Sequence, residues 1–302
     1  MYTRYCRSVL CTPGTAADRY AKCHQSGADI CLVDLEDSVP APRKEEARYK
    51  AAGFFSSLSA ATTSARCAIR INAVTEPDGL RDLLALQRYP IKPVIVLIPK
   101  VESPRDVEIV GQVLGRDCPE LEVFAVIETP RGVDRLAAIA SSSRRLRALI
   151  FGAADYALAL GIGLAWDALV HARARLVNSA RAAGLYGIDS PMFELTDLEL
   201  LRREATLAQA LGFSGKIALT PRQVPVINEV FSPDAARLEQ AQRISTAALL
   251  SGQGITTVDG TMVGPPFFEA AQRLLEEFGE PPPAADLAFP QDQSLISGGA
   301  DD

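Results

Sequence analysis

Eight short apolar runs, each followed by a stretch with helical periodicity, constrain the fold more than any other feature of this sequence. The runs are rich in Val, Ile, Leu and Ala, as expected of parallel strands that helices cover on both faces. Eight such units over about 230 residues have the spacing of a closed (β/α)8 TIM barrel, an α/β fold. An open doubly wound sheet is the alternative, but no Gly-x-Gly-x-x-Gly motif follows the first run. We predict strands at 8–11, 30–33, 67–72, 94–98, 123–127, 148–151, 185–189 and 216–219.

The helical stretches and the end of the chain predict the domain organisation. Thr196, three residues before Glu199, forms a capping-box pattern that predicts a helix beginning at 196. We expect a barrel at 1–232, a C-terminal helical extension at 233–280, and a Pro-, Asp- and Ser-rich disordered tail at 281–302. The other predicted helices are at 16–26, 43–58, 77–87, 104–114, 131–140, 166–183, 233–250 and 266–278.

Composition excludes several classes of protein. The net charge of −6 and the pI near 5.2 argue against a surface that binds nucleic acid or an anionic membrane. No apolar run approaches the roughly 18 residues that span a bilayer, and the first residues do not resemble a signal peptide, so we expect a cytoplasmic protein. The six cysteines form no Cys-x-x-Cys pair, and several lie in apolar runs, which favours buried thiols over disulfides or zinc ligands.

Two carboxylates follow neighbouring predicted strands. Glu128 comes directly after the strand at 123–127, and Asp155 follows the strand at 148–151. Both would lie at the carboxyl edge of the sheet, where barrel enzymes place their chemistry. Two carboxylates there can bind a hard cation and leave positions open for substrate oxygens. The alternative is that Glu128 caps the next helix and Asp155 is a loop acid.

Ordered motifs over nearly the whole predicted barrel resemble one family. The sequence is similar to the citrate lyase β-subunit-like branch (the HpcH/HpaI aldolase family) of the phosphoenolpyruvate/pyruvate barrels, which includes malyl-CoA lyases. One motif, Ile-Glu-Thr-Pro-Arg-Gly, contains Glu128, and another, Phe-Gly-Ala-Ala-Asp, ends at Asp155. The matching segments are 7–10 with 13–14, 27–29 with 34–39, 70–73, 99–102, 127–132, 151–155, 182–185 with 188–189, and 212–216 with 220–221.

The resemblance implies roles for the residues at the strand ends. Glu128 and Asp155 match the family's Mg²⁺ ligands, with Mn²⁺ as an alternative metal. Arg70 matches an arginine that binds an oxyanion or carboxylate of the substrate, which suits a planar guanidinium. The backbone amides of Gly152, Ala153 and Ala154 would hold the carboxylate of a 2-oxo acid, because small residues permit close approach.

The general base stays open at this stage. Glu36 and Asp37 either hold water around the metal or supply the base. Related free-acid aldolases have a histidine where Asp37 stands. The only histidines here, His24 and His171, lie on predicted helices, so a carboxylate or a water held by the metal must take the proton.

For a coenzyme A thioester, the family pattern implies contacts from five residues near the first strand. They are Arg7, Thr12, Pro13, Gly14 and Lys22; Lys22 equally suits a solvated helix face. The family's Ile-His-Pro after the last strand is Leu219-Thr220-Pro221 here, and the final acid of a C-terminal Asp-Gly-x-Met-Ile-Asp motif is replaced by Gly264.

The implied activity is a Mg²⁺-dependent carbon–carbon lyase. It would cleave or form a carboxylated 3-hydroxyacyl thioester, with an acyl-CoA and a 2-oxo acid as partners. The alternatives are an aldolase acting on free 4-hydroxy-2-oxo acids and a non-catalytic partner in a larger lyase assembly. The resemblance also implies a homo-oligomer, a trimer or a multiple of it, in which the segment 233–280 acts as a lid or an oligomerisation element.

Overall fold

The structure is a computed structural model that describes residues 6–58 and 66–278. The chain divides into two compact units, Met1–Ser232 and Pro233–Asp302. The predicted tail at 281–302 lies outside the described residues. Within the described ranges, no helix has both the length and the apolar character that a membrane span requires.

The first unit is a closed parallel barrel of eight strands, as predicted. Each strand pairs with the next along the chain, and the last pairs with the first, where Ser8 lies opposite Lys216 and Leu10 opposite Ala218. Every strand–strand connection therefore crosses over through a helix, as parallel pairing requires. The strands are β1 (Ser8–Pro13), β2 (Ile30–Asp34), β3 (Arg66–Arg70), β4 (Ile95–Ile98), β5 (Glu122–Ile127), β6 (Leu146–Phe151), β7 (Tyr186–Asp189) and β8 (Gly215–Ala218).

Alternation along the strands separates two apolar layers. Inside the barrel, side chains such as Ile30, Leu32 and Phe124 pack on one another. Their neighbours along the strands, such as Val33, face outward and pack against the helices in a second, larger core. The interior is thus filled by apolar side chains, so polar chemistry is confined to the strand ends.

Helices cover the outside of the barrel. Those of the first unit are α1 (Tyr20–Gln25), α2 (Lys44–Ser57), α3 (Pro77–Arg88), α4 (Pro104–Leu114), α5 (Pro130–Asp134), α6 (Leu136–Ala140), α7 (Ala153–Leu160), α8 (Trp166–Ala182), α9 (Leu198–Leu211) and α10 (Gln223–Phe231). Short 3-10 turns, Ala17–Arg19 and Ala41–Arg43, precede α1 and α2.

Two helical predictions were wrong in detail. The helix predicted at 131–140 is two helices, because Arg135 leaves the helical region with φ −102° and ψ 12°. The predicted capping box is absent, since the Thr196 hydroxyl donates to Glu194. The carboxylate of Asp197 accepts from the N–H of Leu200 instead, so α9 begins at Leu198.

The second unit contains two helices and a hairpin. The elements are α11 (Ala235–Leu250), β9 (Thr256–Val258), β10 (Thr261–Val263) and α12 (Pro265–Phe278). The antiparallel hairpin turns through Asp259 and Gly260, both with positive φ. The sequence predicts the helices, but the hairpin was not predicted.

The cysteines occupy the interior, as their apolar neighbours suggest. Five are buried and Cys11 is half-buried, and all six are thiols. Burial raises the pKa of the Cys11 thiol to about 12, so it stays protonated at neutral pH.

Candidate active site

A cavity of about 330 Å³ opens at the carboxyl edge of the barrel. Its floor is apolar and includes Leu32, Leu97 and Ile150 from the strands beneath. The cavity brings together seven of the residues predicted from the sequence: Asp37, Arg70, Glu128, Gly152, Ala153, Ala154 and Asp155. The ends of strands β2, β3, β5 and β6 and the loops after them therefore place these residues around one space.

Arg70, the last residue of β3, is held by an acid that sequence reasoning did not single out. Its Cα is the register partner of Asp34, the last residue of β2. Arg70 Nε donates to Asp34 Oδ1 at 2.7 Å and Nη2 donates to Oδ2 at 2.8 Å. Burial opposes ionisation of Asp34, but the guanidinium outweighs it and lowers the pKa of this carboxyl. The pair is thus ionised and fixed.

Glu36 lies between two cations. Its Oε2 is 2.9 Å from Nη1 of Arg70, and its Oε1 accepts from Nζ of Lys100 at 2.9 Å. Burial raises the pKa of the Glu36 carboxyl, although Arg70 and Lys100 both act to lower it. Because both oxygens are engaged, Glu36 is poorly placed to remove a proton from a substrate.

Asp37 differs from its neighbour. Its side chain is 58% exposed, and Oδ2 lies 4.0 Å from Nη1 of Arg70. It lines the cavity at the mouth. Of the two acids predicted as alternative bases, Asp37 is the one with solvent access and a loosely held carboxylate.

Glu128 is buried at the end of β5. Only 3% of the residue is exposed, and its Oε1 accepts the backbone N–H of Lys100 at 2.8 Å. Burial, together with the charges of Glu36 and Asp155, raises the pKa of Glu128 to about 8. The surroundings of Glu128 therefore do not supply enough positive charge to keep its carboxyl group ionised at neutral pH.

Gly152 lies against Glu128. A Cβ built on Gly152 would be 2.4 Å from both Cβ and Oε2 of Glu128, so no larger residue fits there. The N–H of Gly152 donates to the carbonyl of Ile127 at 3.0 Å. The missing side chain at Gly152 therefore allows the ends of β5 and β6 to lie close together. Its N–H is already hydrogen-bonded to Ile127 and is not available to a substrate carboxylate.

The predicted Gly152–Asp155 turn is the start of a helix. Gly152 precedes α7, and Ala153, Ala154 and Asp155 form its first turn. The first N–H groups of a helix have no acceptor within the helix, so Ala153 and Ala154 present donors at the cavity wall. Asp155 is half-buried, and an acid in the first turn suits the helix dipole.

The charged groups at the cavity suit one divalent cation. Five carboxyl groups (Asp34, Glu36, Asp37, Glu128 and Asp155) share two cations (Arg70 and Lys100). Asp34 and Glu36 form close ion pairs with these cations, and Asp37 lies 4.0 Å from Arg70. Glu128 and Asp155 form no ion pair among the described residues, so they are the pair that a cation would neutralise. No cluster of three or more metal-ligating side chains occurs among the described residues. Mg²⁺ is commonly held by one or two carboxylates with water and substrate oxygens completing its shell, so the pair fits this ion.

Comparison with known proteins identifies the family. The model of the family described as HpcH/HpaI aldolase/citrate lyase matches residues 7–221. The chain belongs to this family. The relationship confirms the predicted family, and the predicted enzyme class, a lyase, is confirmed with it.

Similar proteins cover most of the chain. The citrate lyase subunit beta of Haemophilus influenzae is 30% identical over 89% of this chain and 96% of its own length. The human mitochondrial citramalyl-CoA lyase is 27% identical over 89% of this chain and 84% of its own length. The crystal structure of protein CitE from Mycobacterium tuberculosis in complex with magnesium, acetoacetate and coenzyme A covers 90% of this chain and 98% of its own, at 30% identity with a TM-score of 0.75.

The residues that the family pattern assigns to the thioester are not gathered at this cavity. Thr12 and Pro13 end β1 and Gly14 follows it, with the N–H of Gly14 donating to the carbonyl of Asp34 at 2.7 Å. Lys22 is exposed on α1. None of them lines the cavity described above.

Arg7 lies at the opposite end of β1. It precedes Ser8, five residues and roughly 16 Å of strand from Thr12. Its guanidinium makes an ion pair with Asp29, 2.7 Å from Nη2 to Oδ1, and Nη1 donates to Ser232 at 2.8 Å. The structure thus places Arg7 at the amino edge, where barrel residues serve stability, and the prediction that it contacts the thioester finds no support in its position.

A second cluster of charged side chains, centred on Asp189, lies beneath one wall of the cavity. Lys216 Nζ donates to Asp189 Oδ2 at 2.7 Å, and Arg173 Nε donates to Oδ1 at 2.8 Å. Arg173 also donates to Ser190. Ser190 begins the loop that carries Pro191 to the cavity. The cluster therefore holds this loop on the barrel.

Proposed function

We propose that this chain is a Mg²⁺-dependent carbon–carbon lyase that cleaves or forms a carboxylated 3-hydroxyacyl-CoA. The products of cleavage would be an acyl-CoA and a 2-oxo acid. The observation that carries the proposal is that Glu128 and Asp155, two carboxyl groups that form no ion pair among the described residues, lie beside Arg70 in one cavity. Relatives named citrate lyase subunit beta and citramalyl-CoA lyase, and the CitE complex with magnesium and coenzyme A, support it.

Glu128 and Asp155 would hold the metal. Bound there, Mg²⁺ would act as a Lewis acid that polarises the oxygens of the 2-oxo acid. The Lys100 N–H fixes one oxygen of Glu128 and leaves the other for this purpose. The pKa of about 8 means that metal binding and loss of the Glu128 proton are coupled.

Arg70 and α7 would orient the substrate anion. Asp34 holds two nitrogens of the guanidinium, so its direction is set before substrate arrives. The N–H groups of Ala153 and Ala154, at the start of α7, would donate hydrogen bonds to the carboxylate of the 2-oxo acid. Anion binding from two sides would hold the breaking carbon–carbon bond in one orientation.

Asp37 is the group that we propose to move the proton. Cleavage needs a base at the 3-hydroxyl, and condensation needs one at the carbon next to the thioester. Glu36 is held by Lys100 and Arg70, whereas Asp37 lines the cavity with an exposed carboxylate. Replacement of Asp37 by Asn should therefore lower kcat by roughly a hundredfold.

The direct test is turnover by the purified chain alone. The protein is incubated with Mg²⁺, acetyl-CoA or propionyl-CoA, and a panel of 2-oxo acids, and products are identified by mass. The proposal requires a product that contains both substrates and that disappears when the metal is chelated. Failure to form any such product, in either direction, would contradict it.

Two other functions have specific support. The family's description includes aldolases, which suggests a reaction on free 4-hydroxy-2-oxo acids. Turnover without coenzyme A would favour that reading. Several relatives are named as a subunit of citrate lyase, which suggests a role within an assembly. An inactive chain that becomes active only with other subunits would favour this second alternative.

The second unit supports the proposal of a homo-oligomer, a trimer or a multiple of it. It exposes large apolar side chains, among them Leu249, Leu250, Ile255 and Met262. Apolar groups on this scale are unfavourable in water and suit a protein interface. We propose that residues 233–280 cover the mouth of a neighbouring subunit's barrel. Light scattering at assay concentration tests this, and an active monomer would contradict it.

A further inference from the structure

Lys100 contacts two acids of the active site, Glu128 and Glu36. Its backbone N–H donates to Glu128 Oε1 at 2.8 Å, and its ammonium Nζ donates to Glu36 Oε1 at 2.9 Å. We propose that Lys100 is a positioning residue whose ammonium offsets the charge of Glu36 beside Arg70 and the metal ligands, an inference that rests on the proposed Mg²⁺-dependent lyase.

The backbone of Lys100 is held in an unusual conformation. Its φ is 53°, in the left-handed region. Within the described part of the barrel it is the only residue other than glycine with a positive φ. Side chains other than glycine reach this region at a cost in free energy, and such residues cluster at functional sites. Here the conformation lets one residue reach both Glu128 and Glu36.

The ammonium changes how the positive charge is shared. Arg70 already binds Asp34 through two nitrogens, and its third nitrogen lies 2.9 Å from Glu36. Without Lys100, two carboxylates would face the single guanidinium, and little of its charge would remain for an anionic substrate. With Lys100 bound to Glu36, two cations balance the charges of Asp34 and Glu36. The third acid, Asp37, is 4.0 Å from Nη1 of Arg70 and exposed to solvent, which screens its charge, so Arg70 can still attract an anion.

The same ammonium limits the negative charge near the metal ligands. Glu36 lies near Glu128, and its negative charge raises the pKa of the Glu128 carboxyl group. Loss of the Lys100 charge would leave one more uncompensated negative charge close to Glu128 and Asp155. The proposal therefore predicts effects of opposite sign: Mg²⁺ should bind more tightly, while the anionic substrate should bind more weakly. A residue needed only for folding would weaken both.

The test uses the full chain with Lys100→Met. Calorimetric titration with Mg²⁺ alone should give a Kd roughly threefold to tenfold lower than that of the wild type. With saturating Mg²⁺, the Kd for pyruvate should rise by about tenfold. Lys100→Arg, which keeps a cation for Glu36, should return both values toward the wild type. Arg105→Met removes an exposed cation that pairs with Glu108 and is the matched control, with no change in either value.

A double variant separates this mechanism from a general charge effect. Glu36→Gln together with Lys100→Met removes one charge of each sign, so the Kd for Mg²⁺ should return to the wild-type value. If Lys100→Met does not fold, as judged by its melting transition, Lys100→Asn replaces it, because Asn tolerates the left-handed region.

The outcomes distinguish the two proposals. Unchanged binding of both Mg²⁺ and pyruvate in the Lys100 variant, or weaker binding of both, would overturn the role of Lys100 while the lyase proposal stands. A wild-type chain that binds no Mg²⁺ and shows no metal-dependent turnover would instead overturn the proposed function.

Discussion

Arg70 and Asp34 face each other at the ends of adjacent strands, and two hydrogen bonds of 2.7 and 2.8 Å join them. The orientation of the guanidinium is therefore set by the barrel and does not depend on the substrate. A cation that is already oriented reorganises little during the reaction, which is the usual basis of strong electrostatic stabilisation.

Arg70→Lys should lower kcat/KM by roughly a hundredfold, because a lysine ammonium cannot hydrogen-bond to both oxygens of Asp34 and also present a donor to the cavity. Steady-state kinetics measure the effect. Arg81→Lys, an exposed cation on α3 paired with Asp78, is the control and should behave as the wild type. Normal turnover in Arg70→Lys would mean that only the charge of Arg70 is used.

Glu128→Gln and Asp155→Asn should each abolish Mg²⁺ binding at ordinary concentrations, because either change removes one of the two anionic ligands. Calorimetric titration with Mg²⁺ measures this directly, and turnover should be lost in parallel. Glu102→Gln changes a nearby acid whose partner is Arg131, and it should leave Mg²⁺ binding unchanged. Retention of wild-type Mg²⁺ affinity by Asp155→Asn would contradict the assignment of the metal site.

Gly152→Ala should reduce Mg²⁺ affinity and turnover by at least about tenfold without unfolding the barrel. The added methyl group would lie 2.4 Å from Glu128, so the carboxylate must move. Mg²⁺ titration and thermal melting together check this. Gly53→Ala, on α2 where a Cβ meets nothing within 4 Å, is the matched control. Equal Mg²⁺ affinity in the two variants would show that Glu128 tolerates the shift.

The fold could be predicted from the sequence because local and global signals agree. Apolar runs such as β4 and β5 are buried on both faces, so their composition alone marks them as parallel strands. The helix α7 was not predicted, because Gly152 and two alanines are equally consistent with a turn. The hairpin of β9 and β10 was missed since its strands are short and mostly exposed.

The site was predicted in part. Arg70 ends β3, Glu128 directly follows β5 and Asp155 lies four residues after β6, so their sequence positions place them at one edge of the barrel. Asp34 was overlooked although it ends β2, because its importance comes from the register that sets it opposite Arg70. Lys100 was overlooked because its contacts depend on a left-handed backbone that no sequence pattern indicates.

Asp189→Asn should destabilise the barrel by about 3 kcal/mol near neutral pH, since it leaves Arg173 buried without its carboxylate and leaves Lys216 only the more distant Glu204, 3.5 Å away. Burial opposes ionisation of Asp189, but Lys216 and Arg173 outweigh it and lower its pKa below the ordinary 3.8. Its contribution is therefore complete above about pH 4 and is lost as the pH falls through the lowered pKa.

Denaturant unfolding at a series of pH values tests this assignment. The difference in the free energy of unfolding between wild type and Asp189→Asn should be constant from pH 5 to pH 7 and should shrink below about pH 4. Asp134→Asn, which removes an exposed acid paired with Arg175, serves as the control and should change stability little at any pH. A difference that persists undiminished at pH 2 would show that Asp189 acts through packing and not through its charge.

The fate of the thioester is expected to follow from Gly264. The family resemblance implies that an acid at this position helps to hydrolyse the thioester after the two carbons are joined, because hydrolysis needs a base or an oriented water. Gly264 follows β10 and precedes α12, and it has no side chain to supply one. Asp259, the first acid of the same motif, lies in the hairpin turn and pairs with Arg243. We therefore expect a reversible lyase whose thioester survives the reaction.

With acyl-CoA and a 2-oxo acid supplied together, the condensation product should accumulate with its coenzyme A attached and without release of thiol. Rapid stoichiometric thiol release that requires both substrates would show that hydrolysis proceeds without an acid at this position.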